Sequence, residues 1–346
     1  MRFGRSAWQG ITTLSGLMLL SLTLVSHSVS AQTPEWTAEP TTGWAAEATP
    51  AVAAAAPQLK LVWQTKFSGE TALFSPGDVA IDSLGNSYVS TQSGNSVIKF
   101  DKDGKFVMKW GDSGKDEGKF NLSFGVTVDA NDNVFITDFY NHRIQKFDSD
   151  GKFLMEWKNE KSTSPAFIGI DAKGNIYVDE FPPHDDHYIQ KFDSGGTLLS
   201  EWSGDSGKFG GRIEDIAVDQ AGNVFVADPF TNKIKKMDTA GKLVAAFGGD
   251  ASNNGNGLFY SPFGVAVDGK GFVYTLDRNF LQKLDADGKF VAQWSTAGGD
   301  LDKASNVTAD SEGNIYVFAK SDVTTADGTK VNVFLLKKFS QSDSGW

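Results

Sequence analysis

Few side chains in this chain can do chemistry. Its 346 residues include four histidines and no cysteine, which excludes thiol catalysis, zinc–thiolate sites, disulfides and a lipidated N-terminal cysteine. His184 and His187 enclose Asp185 and Asp186, and two histidines with carboxylates between them could hold a transition metal. The structural alternative is a solvated polar loop. Aspartate ends six similar runs: DVAID at Asp82, GVTVD at Asp129, FIGID at Asp171, DIAVD at Asp219, GVAVD at Asp268 and NVTAD at Asp310. One such carboxylate would invite a catalytic role, but six equivalent ones at six equivalent turns serve the fold. Asp101-Lys102-Asp103-Gly104 and its cousins are too short for a calcium loop and lack its distal glutamate. Gly-x-Ser-x-Gly is absent, and so are the glycine patterns that cradle phosphates ahead of a helix.

The N-terminus limits where that chemistry could take place. Residues 1–31 read as a secretory signal, with Arg2 and Arg5, an apolar stretch from about Ile11 to Val25, and Val29-Ser30-Ala31 as a small-residue cleavage pattern. An uncleaved membrane anchor is the alternative, and the short apolar core favours cleavage. The mature chain is therefore expected to be secreted or periplasmic, without a membrane span. Without Arg2 and Arg5 the net charge of −11 becomes −13, which disfavours nucleic acid and anionic lipid as partners. Residues 32–58 are rich in Ala, Thr, Glu and Pro. They cannot bury enough apolar surface to offset their ordering entropy, so they read as a flexible tether.

Residues 59–346 repeat. After each Asp-ending run comes a second apolar run (NSYVS at Asn86, NVFIT at Asn133, NIYVD at Asn175, NVFVA at Asn223, FVYTL at Phe272, NIYVF at Asn314) and then a third of the type RIQKFD. A fourth ends in an aromatic residue, and Trp63, Trp110, Trp157, Trp202, Phe247 and Trp294 recur every 45 to 47 residues. Short β-branched and aromatic runs joined by Asp-x-x-Gly turns are strands a to d of an antiparallel meander. Six such units predict an all-β, six-bladed β-propeller of four-stranded antiparallel blades. The last unit lacks strand d, and LKLVWQ at Leu59–Gln64 is the displaced copy. Pairing it with Val331–Phe339 would close the ring and remove two open sheet edges. The strand d aromatics are expected to pack between blades.

The second unit, Phe124-Gly-Val-Thr-Val-Asp-Ala-Asn-Asp-Asn-Val-Phe-Ile-Thr-Asp-Phe-Tyr-Asn-His-Arg-Ile-Gln-Lys-Phe-Asp148, resembles an NHL repeat. The resemblance covers roughly residues 59–345. It departs at Phe181–His187 in blade 3 and at a longer b–c loop, about Lys320–Val331, in blade 6. It implies the propeller fold and leaves the activity open, since relatives include protein-binding scaffolds, RNA binders, an amidating lyase and, more distantly, lactone hydrolases. His142 belongs to the repeat motif, which implies a structural role. The amidating lyase draws histidines from separate blades, so a site here would need His142 to converge with the blade 3 loop.

In a propeller, strand a runs down from the top face along the central channel, and the d–a and b–c loops share that face. Four residues before each strand a aspartate stand Asp78, Gly125, Phe167, Asp215, Gly264 and Asn306, the expected channel mouth. Asp78, Asp215 and Asn306, with Glu214 nearby, could hold a divalent cation such as calcium through oxygen ligands. The resemblance to lactonase-like propellers also implies an ion there. The structural alternative is polar groups facing channel water. The top loops add Phe139, Tyr140, Phe230, Arg278 and Phe280, an aromatic-plus-Arg set suited to a protein or carbohydrate ligand. Two functions stay open: a monomeric binding or scaffold module, and a metal-dependent hydrolase or lyase at the top of the channel.

Overall fold

The alternating β-branched and aromatic runs become strands in the computed structural model, which describes residues 58–67, 75–158, 161, 163–182, 187–203, 212–249, 256–324 and 330–341. The expected signal, all of the expected tether except Gln58, and His184 lie outside these residues. The described residues fall within the compact unit Ala53–Trp346 and form six sheets of four antiparallel strands, an all-β six-bladed propeller. In blade 2 the strands are a, Ser123–Val128; b, Val134–Asp138; c, Arg143–Phe147; and d, Phe153–Lys158. Among the described residues no helix is long and apolar enough to cross a membrane.

The ring closes through the displaced strand. Leu59–Lys66 pairs antiparallel with strand c of blade 6, from Leu59 opposite Gln341 to Lys66 opposite Leu335, with a register shift between Leu61 and Trp63. The contact therefore lies nearer the C-terminus than Val331–Phe339. The b–c connection of blade 6 also differs from the loop expected at 320–331. Strand b runs Ile315–Thr324, strand c runs Lys330–Gln341, and pairing continues to Thr324 opposite Lys330. Exposure alternates residue by residue along 320–324, and the facing segment opens Lys330-Val331-Asn332-Val333, a period of two that suits a two-stranded arm.

The six turn aspartates are structural. Asp219 accepts hydrogen bonds from the N–H groups of Ala221 (3.0 Å) and Asn223 (2.8 Å) and from Asn223 Nδ2 (2.7 Å). In four blades a strand b tyrosine (Tyr88, Tyr177, Tyr274 or Tyr316) also donates to its turn aspartate. In all six, a strand c lysine lies over the strand b aromatic ring, from Lys99 over Tyr88 to Lys338 over Tyr316. The strand d aromatics fill the space between blades. Trp202 presses so closely on the c–d turn of the next blade that a Cβ at Gly241 (φ +75°) would stand 2.2 Å from its ring. Trp63 packs on Gly104 of blade 1 in the same way and donates Nε1–H to Lys102 O at 2.8 Å. The displaced strand thus carries the same inter-blade contact as Trp110, Trp157, Trp202 and Phe247.

Candidate functional site

Strand a has a neighbouring strand on one side only, so its inner edge turns unpaired backbone groups toward the channel. Two carboxylates answer part of that demand. Asp78 accepts the N–H of Val79 at 2.7 Å on Oδ1 and the N–H of Val126, in blade 2, at 3.1 Å on Oδ2. Asp215 does the same from the opposite side of the ring, with Ile216 at 2.8 Å and Val265, in blade 5, at 2.9 Å. In both receiving blades the sequence reads Phe-Gly-Val, at Phe124–Val126 and Phe263–Val265. The first of these glycines is required by space: a Cβ at Gly125 would stand 2.5 Å from Ala166 O. Opposed blades therefore carry matched residues, Asp with Asp and Phe-Gly-Val with Phe-Gly-Val. Phe167 and Asn306 form the unmatched third pair.

Asn306 donates Nδ2–H to Asp78 Oδ1 at 3.4 Å. Its Oδ1 is buried with no hydrogen-bond partner among the described residues, and the residue is 9% exposed. Such an acceptor costs free energy until a donor or cation reaches it. Burial pushes the Asp78 carboxyl up to about 6 against the opposing pull of its N–H and Asn306 donors. Asp215 is raised well above the usual carboxylate range by burial and then by the charge of Asp78. Ionising either acid disfavours ionising the other. The folded chain thus holds protons that the unfolded chain releases at lower pH. Stability attributable to the pair should fall as pH rises from the ordinary 3.8 through about 6 and should stay low above it. Replacing Asp215 by Asn should shrink the loss of melting temperature between pH 5 and pH 8, which pH-resolved thermal melts would measure. An equal or larger loss in the variant would contradict the coupling.

Below the pair lies a channel cavity of about 170 Å³ lined by strand a residues. Above it opens a basin of about 540 Å³. Phe124, Phe167 and Phe263 stand in its wall with Asn306, an Arg212–Glu214 ion pair (2.9 Å) and Lys320, which lies over the Phe334 ring. Of these, Phe167, Asn306 and Glu214 belong to the expected mouth. Phe124 and Phe263 sit one residue earlier, and their signal in the sequence is the repeated Phe-Gly-Val.

The expected top-loop residues divide into two groups. Phe139 and Tyr140 lie on a 3-10 turn, Phe139–Asn141. Phe139 stacks on Phe124 (5.8 Å between centroids), which meets Phe167 edge-on (5.1 Å). Both loop residues are thus joined to the basin wall. Phe230 and Arg278 are exposed on blades 4 and 5, Phe280 begins strand c of blade 5, and none of the three has a ring contact with that cluster among the described residues.

The two described histidines, His142 and His187, each have a partner of their own. His142 has a left-handed backbone (φ 56°), and its Nδ1 donates to Thr163 O at 3.0 Å. Its motif neighbours tie loops together: Asn141 donates to Gly114 O and Asp138, and Arg143 donates to Asp138, Glu156, Asp116 O and Lys119 O. His187 turns inward and pairs through Nδ1 with Asp179 Oδ1 at 2.9 Å, both side chains buried. Burial raises the Asp179 carboxyl, with His187 opposing. Among the described residues no three His, Cys, Asp or Glu side chains gather as a metal centre.

The NHL repeat family matches residues 125–147. No curated protein sequence matches the chain. Similar solved structures include a streptogramin B lyase at 14% identity and TM-score 0.56, covering 81% of this chain and 98% of that one. The virginiamycin B lyase of Staphylococcus aureus is similar at 12% identity and TM-score 0.53, covering 82% and 99%. A gluconolactonase of Xanthomonas campestris is similar at 15% identity and TM-score 0.56, covering 82% and 95%. At these identities the likeness is one of fold. The repeat matched in blade 2 and the six-bladed ring of four-stranded sheets together support an NHL-repeat propeller.

Proposed function

We propose that the chain is a binding module whose top-face basin takes a ligand with a ring or apolar face and polar edges, of the kind a carbohydrate or a peptide segment presents. The observation that carries this is the wall itself: three half-buried phenylalanines and one ion pair around about 540 Å³ of open space. Concave, largely preformed sites with a few convergent polar groups are where small ligands bind. Aromatic side chains supply contact area at low entropic cost. Phe139 and Tyr140 extend the same surface.

Catalysis with a divalent cation at the channel top is the second possibility. The unpartnered Oδ1 of Asn306 beside Asp78 favours it, as do the lyase and the gluconolactonase among the fold neighbours. The donor set fits poorly. Asp78, Asp215 and Asn306 supply two carboxylates and one amide oxygen, whereas calcium takes about six to eight oxygen ligands.

A thermal-shift panel tests the first reading. Wild-type protein and Phe167→Ala would be melted with neutral oligosaccharides, short peptides and calcium chloride. Ligand at about a hundred times its Kd stabilises by about 2.7 kcal/mol, enough to read as a shift of a few degrees. At least one organic ligand should raise the wild-type melting temperature, with affinity at least about ten-fold weaker in Phe167→Ala. Organic ligands that shift both proteins equally, or a panel in which only calcium acts and Asp215→Ala abolishes it, would contradict the binding-module reading.

A further inference from the structure

We propose that the ligand of this basin carries an organic cation, an ammonium group received between the rings of Phe124, Phe167 and Phe263 and above the oxygens of Asp78, Asp215 and Asn306. The proposal rests on the basin being a binding site and adds the chemistry of what it binds.

Three independent features converge on positive charge. Asn306 Oδ1 is a buried acceptor in the basin wall with no donor among the described residues. An ammonium N–H, or a methylated ammonium bearing positive charge on its C–H edges, would be the complement it lacks. Next, Asp78 and Asp215 line the channel below the basin from opposed blades, and every group that holds their carboxylates in place is a neutral N–H. Two buried like charges with no counter-ion are unfavourable, and a cation between them removes the penalty. Above them the wall is aromatic, and a ring face attracts cations, most strongly where water is excluded.

The other charged groups at the mouth leave room for this. Arg212 is paired with Glu214, and Lys320 lies over Phe334. An anionic ligand would face the two carboxylates. A hard metal ion would meet three phenylalanine faces where it needs oxygens.

Isothermal titration with choline, and with its neutral carbon isostere 3,3-dimethyl-1-butanol, tests the proposal. At pH 8 choline should bind wild-type protein at least about ten-fold more tightly than the isostere, about 1.4 kcal/mol. Choline affinity should rise from pH 5 to pH 8 as Asp78 ionises, which needs no variant. Asp78→Asn should weaken choline at least five-fold and leave the isostere unchanged. Asp215→Asn and Phe263→Leu are second variants that keep side-chain volume near the original, each with the same expected loss. Equal affinity for choline and the isostere, a flat pH profile, or calcium chloride binding stoichiometrically while choline does not would each overturn the proposal. If a neutral sugar or peptide binds in a Phe167-dependent way and choline does not, the cation assignment fails and the binding module stands. If nothing binds the basin, both fail.

Discussion

Deleting Leu59–Gln64 should leave a chain that aggregates or melts far below the parent. Those six residues supply most of strand d of the last blade, Leu59–Lys66. Leu59, Lys60, Leu61, Trp63 and Gln64 face Gln341, Ser340, Phe339, Lys338 and Lys337 across the sheet. Leu59 and Leu61 pack on the core of blades 5 and 6, and Trp63 packs against the core shared with blade 1. Trp63 also meets Tyr316 edge-on at 6.0 Å and bridges to blade 1 through Lys102 O and Gly104. Burying a large apolar side chain contributes about 1.5–3 kcal/mol, so three half-buried ones contribute on the order of 5 kcal/mol. That approaches the whole net stability of an ordinary domain, about 5–15 kcal/mol. The deletion also bares strand Lys330–Gln341 as an open edge that can template association. Thermal melting and size-exclusion chromatography of the truncated chain measure both effects. A monomer melting at the parent temperature would contradict closure by this strand.

Arg143→Met should cost about 3–5 kcal/mol of unfolding free energy, because it leaves a buried carboxylate without its cation. Arg143 is 3% exposed and Asp138 is fully buried. The guanidinium donates to Asp138 Oδ2 at 2.7 Å, to Glu156 Oε2 at 2.5 Å and to the carbonyls of Asp116 (2.9 Å) and Lys119 (2.7 Å). Met keeps the volume and removes all four donations. Asn141 and Gln145 still donate to Asp138 Oδ2, at 2.8 and 3.2 Å, but neither carries charge. Adding Asp138→Asn to Arg143→Met should recover part of the loss, because the stranded charge is then gone. Urea unfolding of the three variants gives the numbers. A loss below 1 kcal/mol in Arg143→Met would show that the network is not needed to hold the d–a loop to blade 2.

Much of this architecture was legible because it repeats. Six aspartates with the same neighbours could be assigned to turns before any contact was known, and each proves to hold its own hairpin together. The displaced Leu59–Gln64 was recognisable because a sixth aromatic fell in step with five others. The channel mouth was partly legible. Counting back from the turns found Asp78, Asp215 and Asn306, because every blade keeps the same four-residue spacing between the mouth position and its turn aspartate. Phe124 and Phe263 lay one residue beyond the count. Their importance depends on radial position, which no local pattern encodes, although Phe-Gly-Val in opposed blades marks them once the ring is known. Of the blade 3 histidine pair, His187 alone lies among the described residues. His184 and His187 are close in sequence, but His187 immediately precedes strand c and turns into the sheet toward Asp179. In blade 6, polar residues at 320–324 read as a loop, whereas they alternate in exposure and pair with 330–334 to continue the hairpin.

The central claim is that ligand binding belongs to the top of the channel, and methyl NMR tests it most directly. Protein labelled at Ile, Leu and Val methyls would be titrated with the organic ligand that most raises the melting temperature. Shifts should concentrate on Val126, Ile168, Val265 and Val307 around the mouth, while exposed Leu84, Leu199 and Val244 on the lower turns and outer rim stay still. Shifts gathered on those outer methyls, with the mouth silent, would contradict the account.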